Sequence, residues 1–299
     1  LPLKPGGNVI VVGDHRQMPP IVKHDWTNEP RRTFRQFRSY ESLFLALLAL
    51  DPPMIRFSES FRLHADMAKF LRDEIYIHDG IDYHSHQTSL LPAHQVGDDF
   101  LSAVLAPEHP LTVIVHDETN SQVRNDFERK LLAPILRALS DPTGFGLDAR
   151  KGMGVVVPHR AQRAALQEDL VRLLGPDSAL DEAVVTAVDT VERFQGGERT
   201  AILIGVTESD RDYILMNGEF LLDPRRLTVA LSRARQKLVL VAARSVFEVF
   251  SADEETFAHA QLWKNLLRHT CTERVWSGER HSHHVTVWGN RSTTLGRMT

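Results

Sequence analysis

The feature that most constrains this chain is a repeated exchange between short β-branched apolar runs and longer stretches with apolar residues at helical spacing. That alternation predicts an α/β fold, a mostly parallel sheet flanked by helices. The strand-like runs are residues 8–13 (NVIVVG), 54–57, 111–116, 154–157, 184–191, 201–206 and 237–242. Between them, residues 39–50, 65–76, 123–139, 161–174 and 224–235 read as helices, the first with Ser39 as a cap and enough apolarity to be buried on more than one face. Residues 78–110 are weakly periodic and read as a loop, an insertion or an arm, and residues 274–290 read as a β-rich terminal appendage. With 299 residues and 42% hydrophobic side chains, the chain has ample material for a core. A formal charge of -4 requires any nucleic-acid contact to use a local basic patch. The single Cys271 excludes an internal disulfide framework. The longest apolar run, residues 43–50, is far short of the ~20 residues needed to cross a bilayer. The expectation is a soluble, cytoplasmic protein with no membrane partner.

Five polar segments follow or join these runs. GDHRQMPP delivers Asp14 and Gln17 at the end of the first strand, where ligands sit in open α/β sheets. SESFRLH carries Arg62 between a strand and a helix, at a strand's C-terminal edge. VVVPHRAQ presents His159, Arg160 and Gln162 at a helix start, where free amides suit a phosphate. TVERFQGGE packs a hydroxyl, acids, an aromatic, an amide and Gly-Gly into one turn. RRLTVALSRAR sets Arg226, Val229 and Arg233 on one helical face. Taken singly, each also reads as a polar turn or a solvated cationic face.

In order, these segments resemble motifs three, four, four-a, five and six of superfamily 1 helicases, subgroup B, the group that includes the RNA helicase of nonsense-mediated decay and the replication helicase-nuclease. The resemblance implies a RecA-like sheet and assigns roles by position. Gln17 matches the glutamine that senses the γ-phosphate, and Arg62 and Arg233 match two arginine fingers, whose fixed, permanently charged forks suit spread transition-state charge. Phe61 matches an adenine-stacking aromatic. Glu198 matches an acid that binds the ribose, with Gln195 and Gly196 shaping its turn. Thr190, the backbone after Pro158 together with His159, and Gln162 match positions that hold a single strand of DNA or RNA. Glu192, Thr228, Val157 and His159 depart from the residues frequent in relatives.

A P-loop of the form GxxxxGK[ST] is absent from the sequence. With Leu1 in place of Met, this leads to the expectation of a fragment: residues 1–50 a remnant of a first RecA-like domain, 51–270 a complete second one, and 271–299 the appendage. ATP and Mg would then be held largely by an N-terminal RecA-like domain outside this chain, and the chain alone would not hydrolyse ATP. A non-catalytic nucleic-acid or protein-binding module derived from such a motor is the alternative, and a metal-dependent nuclease using the terminal histidines is a third. Arg31, Arg32, Arg35 and Arg38, interleaved with Phe34 and Phe37, suit a backbone-tracking surface but equally an exposed insertion. His281, His283 and His284 lack a completing acid or Cys, and Asp117 and Glu118, although they end an apolar strand, follow motif four. No metal ligand is expected.

Overall fold

A computed structural model describes residues 9–19, 42–175, 178, 182–194 and 197–292, with the backbone alone at Glu219. The chain divides into two units, Leu1–Arg56 and Phe57–Thr299.

Among its described residues the second unit has nine strands: β1 (Glu59–His64), β2 (His84–Gln87), β3 (Leu111–His116), β4 (Met153–Val157), β5 (Val188–Thr190), β6 (Arg199–Gly205), β7 (Ala234–Ala243), β8 (Glu273–Arg280) and β9 (His283–Gly289). Seven form one sheet in the order β5-β4-β6-β7-β3-β9-β8, and β1 and β2 pair in parallel by themselves. The pairs β5–β4, β4–β6, β6–β7 and β7–β3 are parallel, whereas β3–β9 and β9–β8 are antiparallel. β3, β4 and β5 are buried at every residue, as strands covered on both faces must be, which explains why they read as continuous apolar runs. The helices Asp126–Ser140 and Arg160–Leu174 supply Leu131, Leu132, Leu136, Leu166 and Leu170 to the core against them. This is the α/β sheet, parallel-rich and flanked by helices, that the alternation predicts, and it is RecA-like.

Several elements differ from the sequence reading, each for a local reason. The fourth-motif strand starts at Glu59, because that is where β2 offers a partner, and residues 54–57 stay outside it with Ile55 and Phe57 exposed. Arg62 therefore lies within a strand, not at a strand's C-terminal edge. Residues 182–187 form a helix whose Val184 and Ala187 are buried at i, i+3 spacing, so the β-branched pair there misled and the strand shrinks to Val188–Thr190. The sixth-motif helix is Pro224–Leu231, capped by Asp223 with Pro224 in its first turn, and stops before Arg233. The weakly periodic stretch holds β2 and the helix Asp99–Leu105, capped by the Asp98 carboxylate on the Leu101 N–H. The terminal hairpin is not set apart: β9 lies beside β3 and extends the sheet.

In the first unit, residues 9–14 form no strand, with Ile10 and Val12 exposed; a buried parallel strand needs neighbours, and no described residue provides them. The expected 39–50 helix is Leu43–Leu48, capped by Ser42 Oγ on the Leu45 N–H, and none of its residues is buried. Ser39 and the arginine cluster between Arg31 and Arg38 lie outside the described residues.

Candidate functional site

Polar groups gather at both ends of the second unit's sheet. At the end where β6 and β7 begin, Glu198 immediately precedes β6 and Arg233 immediately precedes β7. Their strands are locked there by a hydrogen bond from the Arg199 N–H to the Arg233 carbonyl at 3.1 Å. The β1 strand packs beside β7 and brings in Arg62. Arg62 Nε stands 2.7 Å from Glu198 Oε2, but its N–H is not aligned on that oxygen, so the contact is an ion pair without a satisfied hydrogen bond. Arg235 Nη1 reaches the other oxygen of Glu198 at 4.0 Å.

Arg233 is only 5% exposed, and its Nε donates to the Val229 carbonyl at 3.1 Å across the helix end. Burial, and after it the like charge of Arg62, holds its guanidinium below the ordinary arginine value, although it stays cationic. Tyr76 and Tyr83, whose rings pack at 4.7 Å, lie near enough to act in the opposite direction. Phe61, one residue before Arg62 on β1, is 83% exposed, as Phe57 is at 77%.

At the other end, where β3, β4, β5 and β6 finish, the polar groups are buried and most are answered, although Glu208 Oε2, His116 Nδ1 and Thr207 Oγ1 are not. His159 Nε2 lies 2.6 Å from Glu208 Oε1, and its ring stacks on Phe220 at 5.7 Å. Burial pushes the Glu208 carboxyl up, partly opposed by that bond, and its Oε2 has no partner. Glu128 is wholly buried and is likewise raised by burial; it accepts the Thr207 N–H at 2.9 Å and faces His116 Nε2 at 3.4 Å. Thr207 holds a φ of 73°, a strained geometry for a β-branched residue, at the exit of β6. Glu118 is pushed up by burial, but donors from Ser209 and the Asn120 N–H outweigh this and leave it below the ordinary carboxylate value.

Asn125 joins these acids. Its side-chain amide donates to Glu118 and to the Thr207 carbonyl, both at 3.0 Å, while its carbonyl oxygen accepts the Glu128 N–H. Nothing in the sequence marked Asn125, Glu128 or Glu208, since each stands alone among ordinary helix or loop residues.

The structure thus brings Arg62, Arg233 and Glu198 to one sheet end, with Phe61 on the same strand as Arg62. It places Pro158, His159 and Thr190 at the opposite end. Gln162 is corrected: it is fully buried, with its Oε1 accepting the Asn125 N–H at 2.9 Å and its Nε2 donating to the Asn125 carbonyl at 3.1 Å, so it braces a loop and offers nothing outward. Gln195 and Gly196 lie outside the described residues. Gln17 lies in the first unit, where its Nε2 donates to Asp14 Oδ2 at 2.8 Å.

Of the departures, Glu192 pairs with Arg226, which also lies 3.7 Å over the Phe220 ring, while Thr228 is buried and donates to the Pro224 carbonyl. Asp117 is occupied by His283 Nδ1 at 2.9 Å and the His284 N–H, fastening the terminal hairpin to the end of β3. The helix Arg160–Leu174 begins at His159 with no side chain capping its first amides.

A family model described as an AAA domain matches residues 39–245. The chain is 26% identical over 276 residues to the DNA replication ATP-dependent helicase/nuclease DNA2 of Mus musculus, covering 84% of this chain and 24% of that protein. The Homo sapiens protein of the same name is 24% identical over 272 residues, with the same coverage of 84% and 24%. A regulator of nonsense transcripts 1 homolog of Arabidopsis thaliana is 25% identical over 269 residues, covering 87% of this chain and 19% of the relative. The chain spans about a quarter or less of the length of these curated relatives.

Proposed function

The chain belongs to the AAA domain family and is of the superfamily 1 helicase type, and from that premise we propose that it is the second RecA-like motor domain of an ATP-dependent helicase or translocase. Its part is to supply arginine fingers and nucleic-acid grip to ATP bound by a P-loop domain. The supporting observation is the gathering of Arg62, Arg233 and Arg235 near Glu198 at one sheet end, with an arginine N–H left without a hydrogen-bond partner.

Two guanidinium groups close enough to repel cost free energy that an anion recovers, and a triphosphate brought to this face is such an anion. As charge spreads over the transferred phosphoryl oxygens, Arg233 and Arg62 would meet it with planar donor forks. Phe61 would stack on the base and Glu198 would turn from Arg62 toward the ribose. Glu198 already carries an arginine and is poorly placed to hold Mg, which would screen the phosphates from the P-loop side. At the opposite end, Thr190, the uncapped helix amides after His159 and the Pro158 backbone would track a single strand of DNA or RNA.

The test compares the 299-residue chain alone with the same chain joined to a P-loop domain of this family, measuring ATP turnover with and without single-stranded DNA and RNA. The expected result is no nucleic-acid-stimulated turnover by the chain alone and stimulated turnover in the joined protein. Appreciable hydrolysis by the chain alone would overturn the division of labour.

A further inference from the structure

The small β1–β2 sheet carries a cluster that the motor reading does not use. Glu59 and His84 are direct partners in the parallel register, and His86, two residues on, falls on the same face of β2 as His84. The potential ligand atoms of the three side chains all lie within 4.8 Å of one another. We propose that Glu59, His84 and His86 form a binding site for a borderline divalent transition metal of the zinc class.

Three observations carry the proposal. First, His86 Nε2 stands 3.8 Å from Glu59 Oε1, too far for a hydrogen bond. It is close to the roughly 3.4 Å that separates two ligands on one tetrahedral ion with bonds of about 2.1 Å. Second, His84 Nδ1 lies 2.9 Å from the Asp82 carbonyl, and because a carbonyl only accepts, Nδ1 carries the proton and Nε2 is left with the lone pair a metal needs. A histidine ligand orientated by a backbone carbonyl through its other nitrogen is the usual outer-shell arrangement of metal sites. Third, the Asp82 carboxylate lies 3.7 Å from Arg72, which draws it away from competing as a ligand, while the Asp82 backbone carbonyl orients His84.

Two imidazoles and one carboxylate, with the remaining positions open to water, suit zinc, cobalt, nickel or copper; magnesium prefers an all-oxygen shell. His86 is 82% exposed, so its ring has the freedom to close the last ångström. Binding would cross-link β1 to β2. A two-stranded sheet is marginal by itself, and this one also shifts register between Ser60 and His64. Because Glu59, Phe61 and Arg62 share one strand, the ion would stiffen the strand that presents Phe61 and Arg62.

The test titrates metal-free full chain with ZnCl2 by calorimetry, with MgCl2 as the control, and follows CoCl2 by its visible absorption. The expected result is one strong zinc site, no magnesium binding, and slower amide exchange in β1 and β2 when zinc is present. His86→Ala, at an exposed position, should fold normally and weaken zinc by roughly tenfold or more, Glu59→Gln should do the same, and His283→Ala should not. The proposal is overturned if the chain takes up no zinc, if His86→Ala and Glu59→Gln both bind it as tightly as the parent, or if His283→Ala is the variant that abolishes binding.

Discussion

At the end of the sheet where β6 and β7 begin, Arg62 is held by Glu198 through an unaligned contact, Arg233 lies within reach of its like charge, and Phe61 on the same strand faces solvent. At the end where β3 and β6 finish, Glu118 and Glu128 are buried, and Asn125, Ser209, Thr207 and His116 supply their partners. One end keeps Arg62, Glu198 and Phe61 in reach of solvent; the other buries its acids among donors from the fold, with Glu208 Oε2, His116 Nδ1 and Thr207 Oγ1 left without partners. The contrast teaches that accessibility separates two clusters of similar density: Arg62 and Glu198 can be reached by a ligand, whereas Glu118 and Glu128 are buried in the fold.

The largest effect expected from this contrast lies at the open end. Arg233→Ala in a protein that includes a P-loop domain should lower kcat of nucleic-acid-stimulated hydrolysis roughly a thousandfold, about 4 kcal/mol of transition-state stabilisation. Arg233→Lys should restore little, because a point charge does not reproduce the planar fork. Thermal unfolding should change much less than activity does. A loss of stability that tracks the loss of turnover would instead place Arg233 among the structural groups and erase the difference between the two ends.

At the closed end the signature reverses, with stability lost first. Glu128→Ala removes the acceptor of the Thr207 N–H and the partner of His116, leaving buried polar groups unmatched at a cost of about 3 kcal/mol. Denaturant unfolding measures that loss. Glu128→Gln keeps an acceptor for Thr207 but removes the titration. Burial raises the Glu128 carboxyl in the folded state, so the fold retains a proton the unfolded chain gives up. The group's contribution is therefore fully present below its ordinary value of 4.5 and is lost as pH rises toward the folded value. The stability of Glu128→Gln relative to the parent should accordingly improve as pH rises above 4.5; a difference independent of pH would show that the fold leaves the carboxyl at its unfolded value.

Back at the open end, Phe61→Ala tests the exposed aromatic. Stacking on a base is worth on the order of 1–3 kcal/mol, so KM for ATP should rise about tenfold with kcat nearly unchanged. Since the ring is 83% exposed, unfolding should not move. An unchanged KM would remove Phe61 from the site.

The sequence made the buried parallel strands legible because burial on both faces leaves nothing but apolar residues, and β3 begins and ends where the run LTVIVH does. The ordered motifs likewise single out Arg62, Glu198 and Arg233, three residues that the fold gathers at one sheet end. What stayed hidden depends on partners remote in sequence. Asn125 meets Thr207 across 82 positions, and His159 meets Glu208 across 49, spacings that no local pattern encodes. Gln162 was misread for the same reason: its amide looks available in VVVPHRAQ until Asn125, 37 residues earlier, occupies both of its ends. The Lys237 side chain gave no signal either. It reads as a polar strand start, yet it is buried, with burial lowering its amine to about 7 while the Ala106 and His109 carbonyls and Thr112 Oγ1 accept from it.

The smallest expected effect tests Thr190, one of the points where the closed end should meet a nucleic-acid strand. Thr190 ends β5 and is mostly buried, and its backbone carbonyl is already taken by the Arg193 and Phe194 N–H groups at 3.0 and 2.9 Å. If a nucleic-acid strand is held here, the side-chain hydroxyl must do it. Thr190→Val keeps the volume and β-branching that suit the strand and removes only that hydroxyl. A hydrogen bond of this kind contributes about 1 kcal/mol, so affinity for single-stranded DNA or RNA should fall about fivefold at fixed salt while the phosphate-driven salt slope stays the same. Fluorescence anisotropy with a labelled oligonucleotide across a salt series reads both quantities. If affinity is unchanged, the hydroxyl belongs to the internal network like the groups around Asn125, and strand contact at this end would rest on the helix amides that follow His159.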